Sequence, residues 1–105
     1  MNQNKLASYL GFSIKSGEVV FGFDNLLETR KKIKLVIYCH TVNPKIEDKL
    51  FRLCEYKNWA LVKIEKETLS ELIGRENCKV MGLINKDLSK AVLNQEIKII
   101  LKGDF

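Results

Sequence analysis

Residues 35–39, Leu-Val-Ile-Tyr-Cys, stand as an unbroken apolar run between Lys34 and His40. Successive side chains of a strand point to opposite faces of its sheet, so a strand apolar on both faces must be covered on both. A chain that contains such a strand needs a packing layer above its sheet and another below. Ala60-Leu-Val-Lys-Ile64 and Val80-Met-Gly-Leu-Ile84 are further strand candidates of the same kind. Glu18-Val-Val-Phe21 is a shorter one that suits an edge.

The segments between these strands carry helical spacing. Leu6, Leu10 and Ile14 recur every fourth residue, with Asn2 or Asn4 as a cap and Gly17 as a stop. Gly11 lies inside this helix, where it costs about 1 kcal/mol against alanine, and is expected to mark a close backbone approach. Phe23-Asp24-Asn25 opens a second helix that is expected to reach Lys32. There Arg30, Lys31 and Lys32 would meet the negative end of its dipole. Asn43-Pro44 starts a third, with Glu47 and Asp48 in its first turn. Thr68-Leu-Ser-Glu71 has capping-box spacing for a fourth that Gly74 stops, and Asn85 can cap a fifth. The tail from Ile97 alternates like a strand, yet the last helix could also run on through it, and its end is expected to fray. The order is αβαβαβαβα, which calls for helices on both faces of a sheet. At 105 residues, one domain spanning 1–105 is the expectation.

Composition narrows the function classes. The net charge of +5 favours an anionic partner without naming one. The cysteines, Cys39, Cys54 and Cys78, form no CxxC pair, and His40 is the only histidine. Zinc-ribbon and thiol-redox readings therefore have no support, and buried free thiols in a reducing cytoplasm are expected. No secretory leader is visible, and the apolar runs fall well short of the ~20 residues that span a bilayer. Paired catalytic carboxylates, a Ser/His/Asp arrangement, a glycine-rich phosphate loop and a metal-spaced cluster are all missing. The expectation is a non-enzyme with no cofactor and no metal.

Five stretches, taken together, resemble one family. They are Leu10-Gly-Phe-Ser-Ile-Lys-Ser-Gly17, Val20-Phe-Gly-Phe-Asp24, Lys34-Leu-Val-Ile37, Cys54-Glu-Tyr56 and Leu72-Ile-Gly74. The chain resembles the YlxQ-type bacterial branch of the kink-turn-binding ribosomal protein superfamily (large-subunit proteins seven-Ae and thirty-e), over roughly residues 5–93. The resemblance implies a three-layer α/β/α sandwich around a mixed four-stranded sheet. It also implies an RNA surface made by two loops and the start of the second helix.

The RNA-binding relatives carry Gly-x-Asn-Glu-x-x-Lys at that place, which falls on residues 22–28. Gly22 is kept. Asp24 stands for the family's Asn, Asn25 for its Glu and Glu28 for its Lys, and the stretch from Gly22 to Lys34 is about two residues shorter. A carboxylate accepts but cannot donate, and an anion at 28 repels phosphate. The second loop, Gly74 to Lys79, is apolar in relatives that read kinked RNA and polar here.

The expected RNA-binding set is Gly22, Phe23, Asp24, Asn25, Lys15, Arg75 and Lys79. Backbone amides near Gly22 and the three cations would hold phosphates. Asn25 and Asp24 would read bases in a kinked or non-helical segment, since duplex RNA hides its base edges. Asp24 could instead cap the helix. The expected partner is structured RNA, ribosomal RNA included, bound by a monomer with no membrane role. A protein-interaction module is the competing reading, with Phe23 as the residue to watch: exposed, it is an interface anchor; packed, it staples its helix to the core.

Overall fold

The computed structural model describes residues 4–103. The alternative cap Asn2 lies outside the described residues. Ten elements follow in order: α1 (Asn4–Lys15), β1 (Val19–Phe21), α2 (Phe23–Glu28), β2 (Leu35–Cys39), α3 (Pro44–Lys57), β3 (Ala60–Ile64), α4 (Leu69–Ile73), β4 (Val80–Leu83), α5 (Lys86–Leu93) and β5 (Lys98–Leu101).

The strands form one mixed sheet in the order β1-β4-β2-β3-β5. β2 and β3 run parallel, Leu35 opposite Ala60 and Cys39 opposite Ile64, joined by α3. β4 lies antiparallel between β1 and β2. The run 35–39 is buried along its whole length and central, as its composition requires. β1 takes an edge.

The sheet has five strands, not four. Ile97 onward leaves the last helix and forms β5, antiparallel to β3 with an irregularity between Leu61 and Val62. Ile100 and Leu101 of this strand pack on the core beneath α3, and Ile97, just before it, packs on the opposite face. Alternation at 97, 99 and 101 fits a strand with one apolar face, and the irregularity beside Ile100 is what turns Leu101 to the other face.

The alternation in β2 divides the core. Leu35, Ile37 and Cys39 pack with Leu10, Leu69, Met81 and Val92 beneath α1, α4 and α5. Val36 and Tyr38 pack with Leu26, Leu50, Cys54 and Trp59 beneath α2 and α3. The α/β/α sandwich is thus present, with its two cores on opposite faces of the sheet.

Several caps form as their sequences require. The Asn43 side chain accepts from the Ile46 amide with Pro44 at the first helical position. Thr68 and Glu71 close a reciprocal capping box, and Asn85 caps α5.

α2 departs from expectation. It ends at Glu28, one turn short of Lys32. The Thr29 hydroxyl accepts from the Lys31 amide, and the Ile33 amide donates to the Lys31 carbonyl. These short-range bonds offer the backbone an alternative to the helix. Arg30, Lys31 and Lys32 therefore sit in a tight loop and do not serve a helix dipole. Gly82 in β4 explains how α2 and this loop seat so close to the sheet. A Cβ there would come within 2.8 Å of Leu26 Cδ2 and 3.2 Å of Ile33 Cδ1. Gly11 marks no such approach, since nothing lies within 4 Å of where its Cβ would be.

Candidate nucleic-acid interface

β1, β2 and β3 run in one direction, and β4 and β5 oppose them. One end of the sheet therefore gathers the residues after β1 and β2, Gly22 and His40, and the residue before β4, Lys79. Gly22 and the loop from Arg75 to Lys79 face each other across a cleft of about 250 Å³, with Phe21 and Val80 in its wall.

Gly22 adopts φ 86° and ψ 153°, a conformation that side chains with a Cβ avoid. Its N–H donates to the Val80 carbonyl at 2.9 Å, which ties the corner to β4. That amide is therefore not free for a phosphate. The donors left without helical partners are the amides of Phe23, Asp24 and Asn25, because the first helical bond runs from the Leu26 amide to the Gly22 carbonyl.

Asp24 is exposed in the first turn and is not the cap: Gly22 holds that position, and no side chain caps the helix. The capping reading of Asp24 fails because the helix starts two residues too early for it. Its carboxylate is exposed, two residues past the cleft-lining Gly22. Asn25 is exposed too, but its Nδ2 donates to the Phe21 carbonyl at 2.8 Å. This bond fixes the amide and leaves Oδ1 and one N–H for a ligand. Phe23 is half-buried and packs against the core beneath α2 and α3. It holds the start of α2 to the core while part of its ring stays accessible.

The opposite wall is held by Ser70. Its hydroxyl accepts from the Cys78 amide at 3.1 Å and lies 3.2 Å from the Cys78 carbonyl, to which it donates. Asn77 turns the loop at φ 59°. Arg75 lies with its guanidinium carbon 4.0 Å from the centre of the Phe21 ring. An aromatic face attracts a cation, so this contact orients Arg75 over the cleft before any ligand arrives. Burial pushes the Cys78 thiol up, against the pull of Arg75. Cys78 is thus a buried neutral thiol and no nucleophile. Lys79 is exposed, and its carbonyl accepts from the Cys39 amide.

Lys15 is not brought to this place. It ends α1 just before the Gly17 turn, at the end of β1 where Val19 pairs with Leu83. The cleft lies at the other end, past Phe21 and Met81. The structure thus brings together Gly22, Arg75 and Lys79 in the cleft, leaves Asp24 and Asn25 exposed in the helical turn that follows Gly22, half-buries Phe23 against the core and separates Lys15. Phe21 is the site residue that sequence reasoning passes over. It reads as a strand residue, and nothing in the chain ties it to Arg75.

The matches with known proteins bear on family and fold. A profile of the ribosomal protein L7Ae/L30e/S12e/Gadd45 family matches residues 4–98. No curated protein matches. Among solved structures, a protein of unknown function from Bacillus halodurans C superposes with a TM-score of 0.74 at 18% identity, covering 87% of this chain and 95% of its own. That likeness speaks to the fold. Because the family profile runs from the first described helix into the last strand, the chain belongs to the ribosomal protein L7Ae/L30e/S12e/Gadd45 family.

Proposed function

We propose that this protein binds structured RNA, kinked or otherwise non-helical, without catalysing a reaction. In this reading it is a YlxQ-type cytoplasmic protein that works on its own as one domain and meets ribosomal RNA. The observation that carries the proposal is the pre-oriented Arg75, stacked on Phe21 across from Gly22 in an open cleft. Arg75 and Lys79 hold phosphates on either side of a bend in the RNA chain. Asp24 accepts from the N1–H and N2–H edge of an unpaired guanine, the reverse of what an amide donor would do there. The Oδ1 and remaining N–H of Asn25 meet a second exposed base. Glu76, also in the cleft wall, opposes phosphate and disfavours a continuous backbone track.

The test is a fluorescence titration with an RNA that contains an asymmetric internal loop. Arg75→Ala with Lys79→Ala should weaken binding and lower the salt slope by about 1.4–1.8, at 0.7–0.9 per lost phosphate contact. Asp24→Asn should shift preference away from loops that offer an unpaired guanine. Equal binding of looped RNA by the double variant and the unaltered protein sinks the reading. Phe23 is half-buried against the core, so it offers a partner protein only part of its ring, and the protein-interaction alternative is the weaker reading.

A further inference from the structure

The basic excess of this chain is not at the cleft. At the cleft end the loop cations Lys66, Arg75 and Lys79 alternate with Glu65, Glu67 and Glu76, so their charges offset. The other end of the sheet is different. Lys34 enters β2, and its amide donates to the Leu83 carbonyl while its own carbonyl accepts from the Ala60 amide. Lys102 leaves β5, and the backbone of the following Gly103 abuts Trp59 and Ala60. Lys57 closes α3 just ahead of Trp59 in the chain. Adjacent strands are about 4.8 Å apart and only β3 separates β2 from β5, so the backbones at Lys34 and Lys102 lie about 10 Å apart, near one Debye length at physiological salt.

Arg30, Lys31 and Lys32 add to this end. They occupy the loop that replaces the expected last turn of α2, and all three are exposed. The loop is fixed by the Thr29 and Lys31 hydrogen bonds and by Ile33, which is buried against Gly82. No ion pair between described residues involves any of the six. Among the described residues, the acids toward this end are Glu28 and Glu55, in the last turns of α2 and α3, Glu18 before β1, whose Oε1 accepts from Ser16 and Asn85, and Asp87 in the first turn of α5.

We infer that this end of the molecule is a second nucleic-acid surface, which binds the phosphate backbone of duplex RNA without reading its sequence. Rigid placement of adjacent cations suits a regular array of phosphates, and duplex RNA is recognised by its backbone and shape. The surface is independent of the cleft and faces the opposite way. One protein can then hold a bent loop at one end and a helix at the other.

The experiment compares two triple variants of the full chain. R30Q/K31Q/K32Q removes three charges from the proposed surface, and K5Q/K45Q/K66Q removes three elsewhere. Each is titrated against a uniform RNA duplex without a loop, across a salt series. The first variant should lose about tenfold or more in affinity and lower the salt slope by about 2–3, while the second changes it far less. The looped RNA, read through R75A/K79A, tests the cleft separately, so either site can fail alone. Equal losses in both triple variants would reduce the effect to net charge and overturn the proposal. So would retained duplex binding in R30Q/K31Q/K32Q, or binding of anionic phosphatidylserine vesicles in place of the duplex. Circular dichroism of each variant confirms that the fold is kept.

Discussion

Tyr38 shows how one side chain can serve both the core and the surface. Its ring is buried within the sheet, and its hydroxyl donates to Glu47 Oε2 at 2.6 Å. The same oxygen receives the Lys63 ammonium at 3.1 Å. The Tyr38 hydroxyl and then Lys63 hold the Glu47 carboxyl below the usual carboxylate range, and burial raises the Tyr38 phenol. A depressed carboxyl pKa contributes stability that is present above the unfolded value, about 4.3, and is lost as pH falls through the folded value. Thermal denaturation between pH 6 and pH 3 should therefore show a steeper decline for the unaltered protein than for Glu47→Gln. Tyr38→Phe removes a charge-assisted hydrogen bond and should cost about 1–3 kcal/mol at neutral pH. At Gly11, alanine should instead raise stability by about 0.5–1 kcal/mol. The position is helical with open space around it, and alanine restricts the unfolded chain. A rise of a few degrees in Tm checks this.

At the scale of elements, α2 is the instructive case. Its start was legible, because Gly22 and the family motif mark the corner. Its end was not. Leu26 and Leu27 continue a helical pattern into Arg30, and local spacing cannot reveal that Thr29 bonds back to Lys31. The reason α2 lies where it does is Gly82, which is distant in sequence. Gly82→Ala should cost about 1–3 kcal/mol by forcing Leu26 and Ile33 off the sheet, and denaturant unfolding measures it. β5 was half-legible for a related reason. Ile97, Ile99 and Leu101 alternate, but only the free edge of β3 decides that they pair as a strand. The helix caps read directly because a cap is a contact within a few residues.

For the whole molecule, the sandwich was legible from one doubly buried strand and the alternation around it. The candidate site was less so. Gly22, Arg75 and Lys79 do meet, but the Phe21–Arg75 stack that orients them is a tertiary contact without a sequence signature. Lys15 enters the expected set as a cation at the end of the first helix, and the direction of β1 sends it to the opposite end. Charge is also a whole-molecule property: +5 says nothing of where the excess lies, and the register of the sheet places it.

The place of β4 has a bearing on how the chain is made. β4 is the fourth strand in sequence but lies between the first and second, and β1 touches no other strand. On an emerging polypeptide β2 and β3 can pair as soon as both have left the exit tunnel, since α3 alone joins them. β1 has to wait, with its apolar face unmatched, until Val80–Leu83 follow. Synthesis that stalls before that point leaves the cleft's two walls unassembled, so any grip on RNA there is acquired only as the protein nears completion.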